Sequence, residues 1–286
     1  MRLYIRYKAL SFPKVQGQKM RIIYLIFIAF IVTTLNASYS FAAPPTLLKF
    51  CYEDENAFPW VFTHNGQSEG LDIRLMRLVE VELNTSIQLI SLPWKRCLKS
   101  MKLDQVDGAF ASSFKQERLS MGVYPRNKQK KLDAARQIHM SSYSIYTTLE
   151  SGLQWDGVRF NNLKGKLSAQ LGFSIIDKLT ALGARVREVK GPERALTDVL
   201  SKISVGAALQ TDRADFVLSN SETLRDHLIK LPIALSEKPY YLMLSFKLTK
   251  NNPDFAIRIW NAVAKVRDSR AMKDSSEEFW GLMTPY

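Results

Sequence analysis

Apolar positions in the larger, C-terminal part of the chain alternate between two periods, one typical of strands and one typical of helices. Apolar runs predict strands at Leu47 to Tyr52 and Ser86 to Leu92, and helical spacing predicts helices at Leu71 to Leu83 and Trp94 to Lys102. A further short strand is predicted at Val106 to Ala111. Together these elements form a βαβαβ unit, which is typical of an α/β protein with mainly parallel sheets.

The same alternation returns after Gly165. The predicted strands are Lys166 to Leu171, Ala184 to Val189, Ala214 to Ser219 and Tyr240 to Leu248, and the predicted helices are Ile175 to Leu182, Pro192 to Ile203 and Pro253 to Arg267, with a short helix around Phe279 to Gly281. The second half of the pattern therefore repeats the first, which predicts two α/β halves.

The composition agrees with a folded domain of this kind. The chain has 286 residues, of which 46% are hydrophobic, so it can bury enough apolar surface to offset its conformational entropy. With 13 glycines, 11 prolines, two cysteines and no sustained heptad, it is neither a collagen, a coiled coil nor a disulfide-dense miniprotein.

The N-terminal segment has the pattern of a secretory signal. An uncharged apolar run, Ile22 to Leu35, follows Arg21, and Ser40 and Ala42 suit the positions before a cleavage site. We therefore expect residues 1–42 to be a signal peptide and the protein to be periplasmic. Met20 could itself begin the signal, which would make residues 1–19 an upstream extension. The alternative is a membrane anchor, which needs about 20 apolar residues to cross the hydrocarbon core.

The basic charge of the chain is partly located in this segment. Residues 1–42 contain six of the 40 basic residues and none of the 27 acidic ones, so the remainder is only mildly basic. A basic cluster of the remainder has no interleaved stacking aromatics and is typical of a solvated loop: Arg126, Lys128, Lys130 and Lys131. We expect no nucleic-acid partner.

Export changes how the two cysteines are interpreted. An oxidising compartment permits a disulfide between Cys51 and Cys97, the alternative being two buried thiols. Neither these cysteines nor His64, His139 and His227 form pairs with the spacing of metal ligands. We expect no metal and no cofactor.

Five segments of the chain form an ordered series of motifs. They are Phe58 to Asn84 with its Gly70-Leu71-Asp72 signature, Leu92 to Leu98 followed by Val106 to Ala109, Ser112 to Arg118, Leu163 to Lys166 with Gly172 to Ser174, and Arg213 to Leu218. Taken in order, they resemble motifs of the family 3 extracellular solute-binding proteins, the receptor type of polar amino-acid ABC transporters. The resemblance covers almost all of residues 46–286.

The resemblance implies a two-lobed, type II periplasmic binding protein fold. Each lobe would be a mainly parallel sheet flanked by helices, and two crossing strands would join the lobes. The expected boundaries are residues 43–142 and 242–286 for lobe 1, 150–236 for lobe 2, and about 143–149 and 237–241 for the crossing strands. Such lobes close over a small ligand by a hinge motion.

The resemblance also implies a function. We expect a monomeric, non-enzymatic receptor for a small polar solute bearing a carboxylate, an amino acid or a related compound, delivered to an inner-membrane ABC permease. One alternative is a sensor that docks to a different partner. Another is a cyclohexadienyl-dehydratase-like enzyme on the same fold, for which Glu53 or Glu222 would be the candidate acid or base.

Arg118 is the first candidate site residue. In the family, the matching arginine clamps the ligand carboxylate, a task that suits a planar guanidinium. Ala111 and Ser113 match positions that present backbone groups and a hydroxyl to the same carboxylate. The alternative for Arg118 is a surface residue paired with Glu117 or with a helix end.

Lobe 2 contributes Gly172, Phe173 and Ser174, which open a helix whose free N–H groups attract an anion, although Ser174 could be only a helix cap.

Aromatic residues are the next candidates. Trp94 matches a position that lines the ligand side chain in relatives, and Phe58 and Trp60 belong to the first loop of the resemblance. Flat apolar walls of this kind exclude water from a ligand site. Ordinary core packing is the alternative for all three.

One departure concerns the ligand's ammonium group. Relatives that bind α-amino acids commonly carry an Asp at the end of the strand that matches Ala214 to Ser219, and the corresponding residue here is Asn220. An amide can accept a hydrogen bond from an ammonium but brings no charge. The resemblance therefore favours a carboxylate ligand without a free amine, or one whose cation meets Glu53, Asp54 or Glu222.

Overall fold

A computed structural model describes residues 45–64 and 66–283. The predicted signal peptide, residues 1–42, lies outside the described residues. Within the described ranges, none of the helices combines the length and the apolar composition needed to span a bilayer.

Strands and helices alternate along the described chain. The strands are β1 Leu47–Glu53, β2 Phe62–His64, β3 Gln67–Glu69, β4 Ser86–Leu92, β5 Gly108–Ser113, β6 His139–Thr147, β7 Gln154–Trp155, β8 Phe160–Asn161, β9 Lys166–Gln170, β10 Arg185–Val189, β11 Gly206–Gln210, β12 Ile229–Lys230 and β13 Ser236–Leu244. The helices are α1 Leu71–Leu83, α2 Trp94–Lys102, α3 Ile175–Ala181, α4 Gly191–Leu200, α5 Thr211–Ser219, α6 Glu222–His227, α7 Phe246–Asn251, α8 Pro253–Arg267 and α9 Arg270–Met283.

One sheet connects most of the described strands, in the order β10-β9-β11-β6-β13-β5-β1-β4, with β12 beside β6. Strands β4, β1 and β5 are parallel and form the first strand group, and β10, β9 and β11 are parallel and form the second strand group. The central strands β6 and β13 are antiparallel to each other and to their outer neighbours. Two parallel α/β units thus flank an antiparallel pair, which overlaps the predicted crossing segments.

The carboxyl ends of both strand groups meet this antiparallel pair. Ser113, the last residue of β5, lies opposite Tyr240 of β13, and Gln210, the last residue of β11, lies opposite Tyr143 of β6. The two tyrosine hydroxyls are joined by a hydrogen bond of 2.7 Å. Ligands of open α/β sheets bind outside the carboxyl ends of strands, so this junction is where a site is expected.

Helices α1, α2 and α8 begin and end at the residues that their periodicity predicts. Helix α1 buries Leu75, Met76 and Val79 against the first strand group, and α8 buries Ile259 in the same core. This pattern is the i, i+3, i+4 spacing of an amphipathic helix.

The predicted strand at Ala214 to Ser219 is wrong, because these residues belong to helix α5. Their apolar spacing places Ala214 and Val217 on one helical face, where both are buried. The strand of this region is β11, whose Gly206-Ala207-Ala208 segment is fully buried but lacks the β-branched residues that usually indicate a strand.

Strands β5 and β13 are both displaced along the chain from their predicted positions. Strand β5 begins at Gly108 rather than Val106 and continues to Ser113. Strand β13 ends at Leu244 rather than Leu248, because the Ser245 hydroxyl accepts a hydrogen bond from the Leu248 N–H at 3.1 Å and caps helix α7.

A disulfide joins strand β1 to helix α2, as one of the two sequence interpretations predicts. Cys51 and Cys97 are both buried, and their Cα atoms are 5.7 Å apart. The bond ties α2, which begins with Trp94, to the end of the strand that carries Glu53.

Candidate ligand-binding site

A cavity lies at the carboxyl ends of the two strand groups. It is lined by Tyr52, Glu53, Ala57, Trp60, Val61, Trp94, Phe110, Ala111, Ser113, Arg118, His139, Phe173, Gln210, Arg213 and Tyr240. Aromatic walls and a few charged groups make up this lining, which is the usual composition of a site for a small polar molecule.

A β-bulge shapes the floor of the cavity at the end of β5. At the bulge, two residues of β5, Phe110 and Ala111, lie opposite one residue of β13, Leu242. Ala111 has a φ of 54°, a left-handed conformation that is uncommon for an alanine. Bulges of this kind redirect the backbone next to functional sites, and here the bulge immediately precedes Ser113.

Arg118 is buried at the edge of this cavity, with only 2% of its surface exposed. Its Nη1 donates hydrogen bonds to the Ser113 carbonyl oxygen at 2.6 Å and to Ser113 Oγ at 3.2 Å, and its Nη2 donates to the Gly172 carbonyl oxygen at 3.1 Å. Its guanidinium carbon lies 5.1 Å from the centre of the Trp94 ring.

The charge of Arg118 is not neutralised by a carboxylate of the described chain. All of its hydrogen-bond acceptors are neutral oxygens, and its Nε is buried without a partner. A buried cation in this state is costly unless an anion accompanies it. The geometry therefore fits a site whose anion is supplied by a ligand.

Ser113 and Ser174 link the two strand groups beside Arg118. Their hydroxyls share a hydrogen bond of 2.8 Å, and Lys238 of β13 donates to the Ser174 carbonyl oxygen at 3.0 Å and to Ser174 Oγ at 3.2 Å. Burial lowers the pKa of Lys238 to about 8, and the nearby charge of Arg118 contributes, although Asp177 opposes the shift. The surroundings of Arg118 are thus strongly electropositive.

Arg213 is a second buried guanidinium of the cavity, also 2% exposed. It lies in the first turn of α5, and its Nη1 donates to Glu53 Oε2 at 2.9 Å and to Gln210 Oε1 at 3.2 Å. Its Nε donates to the Asn56 carbonyl oxygen at 3.0 Å, while its Nη2 is buried without a partner. Its guanidinium carbon lies 5.6 Å from the centre of the Phe173 ring.

Glu53 is the carboxylate that accompanies Arg213. Gln170 Nε2 donates to Glu53 Oε1 at 2.7 Å, so both oxygens of Glu53 accept hydrogen bonds from the second half of the chain. Burial raises the pKa of Glu53, and the neighbouring charge of Arg213 offsets part of that rise.

An aromatic stack forms one wall of the cavity. The His139 ring lies 3.8 Å from the Trp60 ring at an interplanar angle of 6°, and 5.1 Å from the Tyr240 ring at 13°. His139 Nδ1 is 2.9 Å from Asp72 Oδ1, which fixes the plane of the imidazole.

Gly70 holds the Trp60 loop against helix α1. A Cβ atom at this position would clash with the Trp60 carbonyl oxygen, and the φ of 124° is itself suited to glycine. The N–H groups of Leu71 and Asp72 then donate to the carbonyl oxygens of Pro59 and Trp60. The Gly-Leu-Asp motif therefore positions both Trp60 and the acid that orients His139.

The structure brings most of the candidates from the sequence together. Ala111, Ser113, Arg118, Trp60, Trp94 and Phe173 line the cavity. Gly172 and Ser174 adjoin it through hydrogen bonds to Arg118 and Ser113. Ser174 lies before α3 without a side-chain capping bond, so its hydroxyl is engaged with Ser113 and Lys238 instead.

Two candidates lie elsewhere. Phe58 stacks on Phe216 with ring centres 4.4 Å apart and contacts the α9 residue Trp280, so it belongs to a separate cluster. Asn220 is exposed at the end of α5, where its amide donates to the Phe216 carbonyl oxygen. The segment before Asn220 is helix α5 rather than a strand, so Asn220 lies at the end of a helix and not at a strand end that faces the cavity.

Gln210 is the residue at the end of the true strand. It lines the cavity, and its side chain accepts from Arg213 and donates to Ser141 Oγ at 3.3 Å. Sequence reasoning missed Gln210 and Arg213 because both depend on locating β11 correctly.

Other charged candidates are solvent-exposed. Glu222 lies exposed in the first turn of α6, and the basic cluster from Arg126 to Lys131 is an exposed loop. Among the described residues, no group of three or more His, Cys, Asp or Glu side chains is arranged to hold a metal ion.

The chain belongs to the bacterial extracellular solute-binding proteins, family 3, which it matches over residues 48–281. The expected family is thereby confirmed, and the solute-binding fold supports a solute-binding role. No curated protein matches the chain in sequence.

Solved structures share the two-lobed, type II periplasmic binding protein fold. A histidine kinase sensor domain with similarity to periplasmic binding proteins has a TM-score of 0.66 at 13% identity, covering 82% of this chain and 96% of that one. An ancestral arginine-binding protein bound to glutamine has a TM-score of 0.64 at 15% identity, covering 84% and 100%. An ancestral amino-acid-binding protein, a precursor of cyclohexadienyl dehydratase, has a TM-score of 0.61 at 15% identity, covering 82% and 95%. Such identities establish the fold alone.

Proposed function

We propose that this protein is a periplasmic receptor that closes on a small carboxylate-bearing solute and delivers it to an ABC-type permease. The observation that carries the proposal is the buried guanidinium of Arg118, which lines the cavity. Within the described chain, Arg118 donates hydrogen bonds only to neutral oxygens. A ligand carboxylate would accept from Arg118 and supply the missing negative charge. The uptake role rests on the family and on amino-acid-binding structural relatives.

Closure would bring the two strand groups together around the ligand. Lobe 1 would be residues 43–142 and 242–286 and lobe 2 residues 150–236, with hinges at about 143–149 and 237–241. Arg118 contacts Gly172, and Ser113 contacts Ser174, so the carboxylate site would be completed only when the lobes are closed. A ligand that bridges both lobes shifts the equilibrium towards the closed state.

The walls of the cavity favour a ligand with a flat or apolar body. Tyr52, Trp60, Trp94, Phe110 and Phe173 surround the polar groups. Aromatic faces exclude water and strengthen the hydrogen bonds of the carboxylate.

The proposal is tested by a thermal-shift screen of protein expressed from the full sequence. Each acid is paired with its primary amide, so that charge is removed while size is kept: pentanoate with pentanamide, benzoate with benzamide, and glutarate with glutaramide. A ligand at about 100 times its Kd stabilises the native state by about 2.7 kcal/mol. We expect shifts with acids and none with the matched amides; equal shifts within the pairs, or none with any acid, would contradict the proposal.

A dehydratase-like activity is a second candidate, favoured by the position of Glu53. Its carboxyl group lies in the cavity and has a raised pKa caused by burial, as a general acid requires. The test is to incubate the acid that stabilises the protein with the protein and to follow the signals of the acid by NMR. A receptor leaves the acid unchanged, whereas an enzyme converts it and loses that activity in Glu53→Gln.

A further inference from the structure

We infer that Arg213 forms a second anion-binding subsite, so that the ligand is a dianion of the dicarboxylate class. This inference rests on the proposed function, because it adds a second contact to the same bound molecule. Arg118 would hold one carboxylate and Arg213 the other.

The first argument is the unused hydrogen-bonding capacity of Arg213. Its Nε and Nη1 are engaged with Asn56, Glu53 and Gln210, but Nη2 is buried without a partner in a residue that is 98% buried. Leaving a buried charged donor unsatisfied is costly. Since Arg213 lines the cavity, an acceptor on the ligand would satisfy this donor.

The second argument is that the two guanidiniums are held on different strand groups. Arg118 follows β5 and lies over Trp94, whereas Arg213 follows β11 and lies over Phe173. Both charges act on the Tyr240 hydroxyl, where they oppose the rise in pKa caused by burial. The two guanidiniums therefore face the same cavity from different strand groups, an arrangement that suits a ligand with two anionic groups.

The third argument is the balance of charge. Among the residues that line the cavity, the two arginines face a single carboxylate, Glu53, and Lys238 adds a further amine beside Ser174. The cavity is thus positive even when Glu53 is ionised. A zwitterionic ligand would add no net negative charge to it.

The fourth argument concerns whether an ammonium could bind beside Arg213. At the end of β11, Gln210 Oε1 already accepts a hydrogen bond from Arg213. An ammonium there would meet a guanidinium rather than a free carboxylate, and like charges at this distance repel. A carboxylate at the same place is attracted.

The experiment is calorimetry with matched mono- and dicarboxylates on protein expressed from the full sequence. Glutarate is compared with pentanoate, and isophthalate with benzoate, while the series from malonate to adipate varies the distance between the charges. The variants are Arg213→Gln and Glu53→Gln/Arg213→Gln, since the double variant avoids an unpaired Glu53. Arg225→Gln, an exposed residue of α6, is the matched control.

In the wild type, the dicarboxylate that binds best should bind about 10- to 100-fold more tightly than its matched monocarboxylate. One charged hydrogen bond contributes a factor of about this size to affinity. Both Arg213 variants should lose this preference, so that the dicarboxylate and its monocarboxylate bind with affinities within about twofold of each other. Arg225→Gln should keep both affinities.

Two other results overturn the inference in distinguishable ways. Equal affinity of the wild type for the members of each pair, or a preference that survives in both Arg213 variants, would refute the second subsite and leave carboxylate binding at Arg118 intact. Absence of binding by every acid would refute the proposed function and the inference with it.

Discussion

The Arg118 guanidinium donates a hydrogen bond to the carbonyl oxygen of Gly172, 54 residues further along the chain, at 3.1 Å. Arg118 belongs to the segment after β5 and Gly172 to the turn after β9, so the bond connects the two strand groups. The residue proposed to bind the ligand thus also holds the two groups together. Binding and closure would be coupled through this one side chain.

Glu53 should make stability depend on pH. Burial raises its pKa above 4.5 in the native state, so between 4.5 and that higher pKa the native state holds more protons than the unfolded state. The contribution of Glu53 to stability is therefore present below pH 4.5 and lost as pH rises through the native pKa. In urea unfolding at several pH values, the free energy of unfolding of the wild type minus that of Glu53→Gln should fall with increasing pH. A difference that rises with pH would refute the environment described for Glu53.

Lys238 should lose its proton at an unusually low pH. Its pKa is lowered to about 8 by burial and by Arg118, and NMR of the lysine side chains, with Lys238 identified by its absence in Lys238→Met, measures it directly. Removing the positive charge in Arg118→Gln should raise this pKa. A midpoint near the ordinary value of 10.5 would mean that the amine is solvated rather than enclosed beside Ser174.

The disulfide should contribute substantially to stability. Cys51 and Cys97 are 46 residues apart, and closing a loop of this length in the unfolded chain corresponds to about 4 kcal/mol in the chain-entropy treatment. We expect Cys51→Ala/Cys97→Ala to lose about 2 to 4 kcal/mol in urea unfolding while retaining the native circular dichroism spectrum. An unchanged unfolding midpoint with an unchanged slope would show that the bond adds nothing.

Gln210 should contribute to discrimination against amino acids. It is the last residue of β11, lines the cavity and lies beside Arg213. In Gln210→Asp, a carboxylate would attract a ligand ammonium, so the ratio of glutamate affinity to glutarate affinity should rise, by about 10-fold for one charged contact. Gln210→Asn keeps the amide and should leave the ratio close to that of the wild type. A ratio that does not rise in Gln210→Asp would refute this role.

The amphipathic helices and the position of Arg118 could be predicted from short stretches of the sequence. Helices α1, α2 and α8 carry clear amphipathic spacing, and Arg118 lies in a short segment that resembles the family without reference to distant residues. The position of β11 was missed because its Gly and Ala residues gain their strand conformation from burial between β6 and β9 rather than from intrinsic preference.

Contacts between distant residues could not be obtained from the sequence pattern. Arg213 reaches Glu53 across 160 residues, and His139 reaches Asp72 across 67. Each partner alone has an ordinary local interpretation as a helix residue or a strand residue. Only the folded chain brings each pair together and places Glu53, Arg213 and His139 around one cavity.

The most direct test of the carboxylate site is calorimetry of Arg118→Ala with the acid that most stabilises the wild type. Arg96→Ala, an exposed residue two positions after Trp94, is the matched control. If Arg118 binds the carboxylate, affinity should fall at least about 100-fold in Arg118→Ala, while cooperative unfolding persists and Arg96→Ala binds as the wild type does. An affinity in Arg118→Ala within about twofold of the wild type would contradict the proposed site.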